Sequence, residues 1–476
     1  MMPTILHISD LHRTPGPRLD NDELLTAIIN DSKRWEHEGI PNPDLVVVSG
    51  DLVQGVGTDT LDPDDQIQAQ YEEANEFLLR LAEEVTDSDI SRFVIVPGNH
   101  DVNWDRARRA MRPLDTCPPR INSLAFEANS RTRWNWRDQK AYEIFDENLY
   151  GARLQTFRDF QECFYAELHM SPLHRDNDSD LVYFDYPQLG LVVVGFASWH
   201  GNDCFCTVGE ISSASLSLSQ KLLSASQSPI AIAVWHHGVA GGPRSIDYMD
   251  ETMLHKLIDQ GFTVGLHGHH HYPAAAPFEA RLPNRTAMTL VSAGSLAVGD
   301  RELPMGENRQ FNVVVIDPDS AKVTVHVRAM SNAGVFMKSH RNDFGGNSFI
   351  ELDLPSAPAR PTAPSDIQLV DDAMTAIADE RFDEALDILP KINCSREREK
   401  RLIQIEALSA LGRHNELLEF LNPPQNADEV AKAIALLLDA GRYDDAKKQL
   451  ETASSLIDPI LHQDLADSIM AKEVNQ

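Results

Sequence analysis

The sequence has no uninterrupted apolar run approaching the ~18 residues of a membrane-crossing helix, so no segment is expected to span a bilayer. No basic, apolar leader stands before its first strand-like run, Thr4-Ile-Leu-His-Ile-Ser9, and the expectation is a cytoplasmic chain. Cysteine is scarce. The five thiols, Cys117, Cys163, Cys204, Cys206 and Cys394, are odd in number and follow no framework spacing, which points to reduced thiols. Basic residues are few: 42 Lys and Arg stand against 73 Asp and Glu, for a net charge of −31. A surface this acidic repels a long phosphate backbone and argues against a processive nucleic-acid enzyme. It does not argue against hydrolysis of a small phosphoester, because bound metal ions invert the local field.

At 476 residues the chain is too long for one ordinary core, and two domains are expected. Short apolar runs at Thr4–Ser9, Leu45–Ser49, Phe93–Val96, Leu191–Phe196, Ile230–Val234 and Val264–His267 read as buried strands. Asp22–His37 and Gln66–Val85 read as amphipathic helices between the first three. Runs near Met288–Ser292, Phe311–Ile316 and Lys322–Val327 have no long helices between them and are expected to close a second sheet. Arg106–Asp180 reads as a long helical insertion. Its Arg131-Thr-Arg-Trp-Asn-Trp-Arg137 has two readings: a basic-aromatic lid for a nucleotide, or a surface helix with both tryptophans tucked in.

A Pro/Ala-rich stretch over 355–364 reads as a linker, with one domain over 1–354 and an all-helical one over 365–476. In the latter a signature recurs: Glu380-Arg-Phe-Asp-Glu-Ala-Leu386, Gly412-Arg-His-Asn-Glu-Leu-Leu418 and Gly441-Arg-Tyr-Asp-Asp-Ala-Lys447. The spacing is near the ~34-residue period of tetratricopeptide units, and the tail resembles a short, degenerate array of about three. Such stacks leave a concave face, so a protein partner is one expectation; packing on the catalytic domain is the other.

The chemistry-bearing residues sit where apolar runs end: Asp10-Leu-His12, Gly50-Asp51, Gly98-Asn-His-Asp101, His236-His237 and Gly268-His-His-His271. In open α/β sheets, sites form at the carboxyl ends of strands. Carboxylates mixed with imidazoles suit Mn, Fe or Zn, and the lack of cysteine in these blocks argues against structural zinc.

The ordered blocks resemble the D-x-H, G-D, G-N-H-[DE], H, G-H-x-H series of calcineurin-like metallophosphoesterases, over roughly residues 4–330. The resemblance implies a four-layer αββα sandwich, here with a small all-α helical-repeat domain appended. It implies two divalent metal ions, one on Asp10, His12, Asp51 and His271, the other on Asp51, Asn99, His236 and His269, with Asp51 bridging. Residue type alone leaves His236 and His237 open; the family pattern picks the first. The same pattern implies attack on phosphorus by a bridging hydroxide, with His100 assisting the leaving group and Asp101 orienting the loop. His7 and His267 read as core or supporting residues, and His200 as a loop histidine.

The arginines of the protein-phosphatase branch are absent from Gly50–Gly55 and Pro97–Asp101, which moves the reading to the phosphodiesterase branch. The expected substrate is a small or cyclic nucleotide diester. The alternatives are a nuclease acting on DNA or RNA and a partner-tethered phosphatase.

Overall fold

The computed structural model describes residues 2–15, 19–115, 130–175, 179–239, 247–280, 287–356, 366–378, 380–392 and 396–474. The chain divides into two compact units, Met1–Ala363 and Pro364–Gln476. Most of the 355–364 stretch lies outside the described residues, as do Cys117 and Cys394.

The first unit opens with three parallel strands, β1 (Thr4–Ile8), β2 (Leu45–Ser49) and β3 (Phe93–Val96). Every residue in them is buried, which is why they read as continuous apolar runs and not as alternating ones. Their two faces go to different cores. Ile5, Leu45, Val47, Val94 and Val96 meet residues of a second sheet, whereas Leu6, Ile8, Val46, Val48 and Ile95 meet helices. Those helices are α1 (Asn21–Ser32), capped by Asp20 on the Glu23 amide, and α2 (Pro63–Val85), with proline at its start. Ile67, Tyr71, Ala74, Phe77, Leu78 and Leu81 of α2 form the buried stripe.

The insertion corrects the expectation of a helical segment. After α3 (Trp104–Arg109) come β4 (Met111–Pro113), β5 (Thr132–Asn135) and β6 (Lys140–Ile144), which form an antiparallel sheet in the order β4-β6-β5. Only then do α4 (Glu147–Gly151) and α5 (Gln155–Phe164) follow. Arg131–Arg137 is therefore mostly a strand and its turn. Trp136 is exposed and Trp134 half-buried, so the tryptophans are not tucked away together. The buried residue is Arg133, whose Nε lies 2.6 Å from Asp203 Oδ2. That tertiary ion pair overrides the local pattern.

The second sheet contains β7 (Leu173–Arg175), β8 (Asp180–Tyr186), β9 (Leu191–Phe196), β10 (Ile230–Val234), β11 (Val264–His267), β12 (Ala274–Glu279) and β13 (Ala287–Ser292), in the order β12-β13-β11-β10-β9-β8-β7. Its outer face packs on α6 (Ser213–Ala225) and α7 (Glu251–Asp259).

The chain then returns to the first sheet with β14 (Gln310–Asp317), β15 (Lys322–Met330), β16 (Phe336–Lys338) and β17 (Phe349–Asp353). Of the three late runs expected in the second sheet, only Met288–Ser292 is there. β14 instead pairs antiparallel with β1, Ile5 opposite Val314. A strand as apolar on both faces as β1 is unsuited to an open edge, and β14 covers it. The result is two packed sheets with helices on both outer faces.

The second unit is all helix: α8 (Asp366–Ala378), α9 (Phe382–Ile388), α10 (Glu397–Ala410), α11 (His414–Phe420), α12 (Ala427–Asp439), α13 (Tyr443–Thr452) and α14 (Pro459–Val474). The recurring signature marks the turns into α9, α11 and α13. Glu380, Gly412 and Gly441 hold φ of 59°, 65° and 69°. The next residue, Arg381, Arg413 or Arg442, sends its amide five residues back, to Ala376, Leu408 or Leu437. Its side chain pairs with Glu384, Glu416 or Asp445 three residues on. This is a helix C-terminus closed by a left-handed residue, built three times.

Candidate metal centre

Asp10 and His12 follow β1, Asp51 follows β2, Asn99 and His100 follow β3, His236 follows β10, and His269 and His271 follow β11. The carboxyl ends of five parallel strands, drawn from both sheets, thus deliver eight residues from distant parts of the chain to one place. The loops are laced by main-chain bonds, from the Asp10 amide to Gly50 O and from the His12 amide to Asp51 O, each 3.0 Å.

The side chains form a closed circuit. Asp10 Oδ1 lies 3.9 Å from His12 Nε2, which lies 3.5 Å from Asp51 Oδ2. Asp51 Oδ2 is 3.2 Å from His236 Nε2, and that nitrogen is 3.1 Å from Asn99 Oδ1. Asn99 Oδ1 is 3.0 Å from His269 Nδ1, and the His269 amide donates to Asp10 Oδ2 at 3.1 Å. His271 Nε2 joins at Asp10 Oδ1, 3.2 Å away, and the His100 amide donates to Asp51 Oδ1 at 2.8 Å.

The imidazoles are turned so that lone pairs face inward. His236 Nδ1 is 2.8 Å from Ser49 O, His269 Nε2 is 2.9 Å from Asp247 O, and His271 Nδ1 is 3.1 Å from Glu302 O. A carbonyl only accepts, so each of those nitrogens carries hydrogen and, in the neutral ring, the opposite nitrogen offers a lone pair. His269 Nδ1 and His236 Nε2 consequently face each other at 3.3 Å with Asn99 Oδ1 beside both. Three acceptors converging on one point need a positive charge among them.

The electrostatics agree. Burial works against a charged His236, but the Asp51 and Asp10 carboxylates raise its pKa to about 9. His271 is likewise opposed by burial and raised by Asp10 to about 9. Burial alone pushes Asp10 and Asp51 up, and the histidines around them more than reverse it, holding both below the usual carboxylate range. Among the described residues, three overlapping groups have metal-ligand spacing: Asp10–His12–His271, His12–Asp51–His100 and Asp10–Asp51–His236. Asp10 Oδ1 and both ring nitrogens of His12 are buried without a hydrogen-bond partner. Buried polar atoms are seldom left so unless an ion or water completes them. The donor set fits divalent metal.

The backbone is bent to the same end. Asp10, His12, Asp51, His269 and His271 all have positive φ, of 51°, 43°, 52°, 77° and 58°. Left-handed backbone at a residue with a Cβ is costly, and such residues gather at functional sites. Glycine is required where a neighbour comes too close: a Cβ on Gly98 would stand 2.1 Å from Asp51 Oδ1, and one on Gly268 1.8 Å from Ser9 Oγ.

The surrounding residues take supporting places. Asp101 Oδ2 accepts from the Gly98 amide at 2.7 Å, and its Oδ1 accepts from the Tyr71 hydroxyl at 2.9 Å, which ties the Asn99–His100 turn to α2. Burial, then the charge of Asp51, raises Asp101 to about 7. His237 packs beside the His269 ring, 5.1 Å between centroids, with its Nδ1 2.8 Å from Ser198 Oγ, and burial holds it neutral. His7 meets Ser49 Oγ at 2.9 Å inside the sheet, and His267 stacks on Trp235. Sequence reasoning did not find Asp247, which has no motif, or the carbonyls of Ser49, Gln54 and Glu302, which no residue type announces. Cys163, Cys204 and Cys206 are free thiols.

No curated protein matches the chain. Solved structures similar to it include Vps29 from Chaetomium thermophilum, at 12% identity over 76% of this chain and 100% of that one, with a TM-score of 0.25. Another is the calcineurin-like phosphoesterase YfkN from Bacillus subtilis, at 12% identity over 81% and 98%, with a TM-score of 0.27. These scores are too low to bear on the fold. The family profile of calcineurin-like phosphoesterases matches residues 3–273, more than half of the chain. By that match, with its Asp/His circuit assembled at the strand ends, the chain belongs to the calcineurin-like phosphoesterases.

Proposed function

We propose that the chain is a phosphodiesterase acting on a small nucleotide diester with the aid of two divalent ions. Asp10, His12, Asp51 and His271 would hold one ion, and Asp51, Asn99, His236 and His269 the other. When bound, such ions supply positive charge against the phosphoryl oxygens and lower the pKa of water.

The rest of the chemistry belongs to the chain. The observation that carries the reading is the placement of His100. Its Nδ1 is 2.8 Å from Gln54 O, so Nδ1 carries hydrogen and the ring is held in one orientation at the edge of the circuit. The ring lines a cavity of about 230 Å³ with Gln54, Val102 and Trp104. His100 thus has one nitrogen anchored and the other left to hand a proton to a departing alkoxide, the group a diester must expel. The second supporting observation is the direction of Arg13, the arginine next to His12. It is buried, with Nη2 on Glu73 at 3.0 Å and Nη1 on the Leu19 carbonyl at 3.0 Å. It is unavailable to the second negative charge of a monoester.

A substrate panel with Mn²⁺ tests this: a simple monoester, a simple diester, cyclic nucleotides, and single- and double-stranded DNA and RNA. Turnover of small diesters above the monoester supports the reading. Exclusive cleavage of polynucleotides, with activity falling steeply as salt rises, would replace it with the nuclease reading.

A further inference from the structure

The cavity at His100 does not end there. It shares Gly57 and Trp104 with a larger one of about 620 Å³, which runs on to Arg108, Arg137, Tyr142 and Phe205. Trp104 and Arg108 are one turn apart on α3 and so lie on the same side of the helix. Tyr142 and Phe205 meet with ring centroids 5.0 Å apart and planes tilted by 38°, and the Arg108 guanidinium sits 4.5 Å above the Tyr142 ring. The half-buried Trp104 ring is 6.3 Å from the His100 ring, tilted by 30°. An aromatic wall therefore begins immediately beside the proton-handling histidine.

Charge distinguishes the far end. Arg106, Arg109, Arg112, Arg131 and Arg133, the other arginines of α3 and the small sheet, each reach a carboxylate. Among the described residues, Arg108 and Arg137 form no ion pair, and Arg108 donates to the Met111 carbonyl. In a chain of net charge −31, two guanidinium groups in one groove that pair with no carboxylate of the described residues are arranged for an outside anion. Two carboxylates also line this groove. Asp138 accepts from the Tyr142 hydroxyl at 2.6 Å and from the Lys140 amide at 3.2 Å, whereas Asp59 has no ion pair among the described residues and opposes an anion.

We infer that this groove is the leaving-group subsite, and that it takes a nucleoside bearing a second phosphate: the base on Trp104, the distal phosphate at Arg108 and Arg137. The inference rests on the diesterase reading and names its substrate class, a short 5′-phosphorylated linear dinucleotide. In the reaction a water oxygen bonds to phosphorus, the P–O3′ bond breaks, and the 3′ oxygen takes a proton from His100. Two nucleoside 5′-monophosphates result.

The test uses the full chain with Mn²⁺ and three substrates: the dinucleotide pApA, its counterpart ApA without the terminal phosphate, and bis(p-nitrophenyl) phosphate. The expected kcat/KM for pApA exceeds that for ApA by about tenfold or more, the scale of a charge-assisted contact. Arg137→Ala, at an exposed position, brings that ratio close to unity, and Asp59→Asn raises it. Trp104→Ala lowers kcat/KM for both dinucleotides by about 5- to 100-fold, mainly through KM, and Trp104→Phe restores most of it. If the unaltered chain hydrolyses bis(p-nitrophenyl) phosphate but treats pApA and ApA alike, or if Arg137→Ala leaves the ratio unchanged, the subsite is wrong and the diesterase reading stands. If none of the three diesters is hydrolysed, the diesterase reading itself has failed.

Discussion

His100 is anchored to Gln54: its Nδ1 lies 2.8 Å from the Gln54 main-chain oxygen, while its own amide donates to Asp51 Oδ1. The backbone thus fixes the orientation of the ring. His100→Ala should therefore keep its metal and lose on the order of 10²–10⁴ in turnover of a diester with a poor leaving group. The loss should shrink for a p-nitrophenyl ester, which departs without a proton. Metal analysis beside the two rates checks this, and an emptied site would make His100 a ligand.

Asp51 is the residue on which the circuit closes, touching His12, His236 and the His100 amide. Asp51→Asn should lose both ions together and nearly all turnover. Two tightly held ions per chain, measured by elemental analysis in that variant, would remove Asp51 from the bridging place.

A buried ion pair fastens α1 to the first sheet. Arg328 Nε and Nη2 donate to Asp31 Oδ2 and Oδ1 at 2.7 and 2.6 Å, and both residues are inaccessible. Arg328→Met strips the buried Asp31 carboxylate of its two-pronged partner, leaving it Arg34 and the Trp35 N–H, and should cost about 1.5–3 kcal/mol, read from the denaturant midpoint. Burial pushes the Asp31 carboxyl up, but Arg328 and the Trp35 N–H hold it below its usual value. A depressed carboxyl stabilises the fold fully above its unfolded pKa of about 3.9, and loses that contribution as pH falls through its folded value. The gap between the native chain and Arg328→Met should thus be full near neutrality and narrow under acid. A gap that widened toward low pH would show that Asp31 is not the partner that matters.

Glu380 occupies a left-handed position, φ 59°, where the two corresponding turns have Gly412 and Gly441. Glu380→Gly should stabilise the helical unit by about 0.5–1 kcal/mol, since it relieves a Cβ clash that the other two turns do not have. Thermal unfolding of the two chains, compared directly, decides it. A lower midpoint in the variant would mean that the Glu380 side chain makes up the difference.

What could be read in the sequence depended on whether a property resides in one residue or in a pair. The ligand blocks were visible because each is a polar group where an apolar run stops, and Asp10 or His269 needs no partner to be recognised as such. The strand runs were visible because both their faces are buried. Whether β14 joins the first or the second sheet was not, since Phe311–Ile316 suits either; the choice lies in the need to cover β1. The strand at Thr132–Asn135 was hidden because its buried member is an arginine whose partner, Asp203, is seventy residues away. The orientation of the histidine rings comes from carbonyls, which every residue has.

The positive φ of Asp10, His12, Asp51, His269 and His271 sets backbone preference against side-chain chemistry at five positions of one centre. Glycine would suit the backbone at each, so His271→Gly should unfold no more easily than the native chain, and plausible drift runs toward glycine or asparagine. A measured midpoint well below that of the native chain would show the strain to be compensated locally. Five left-handed residues in one centre make it a reservoir of backbone strain that the surrounding fold has to hold.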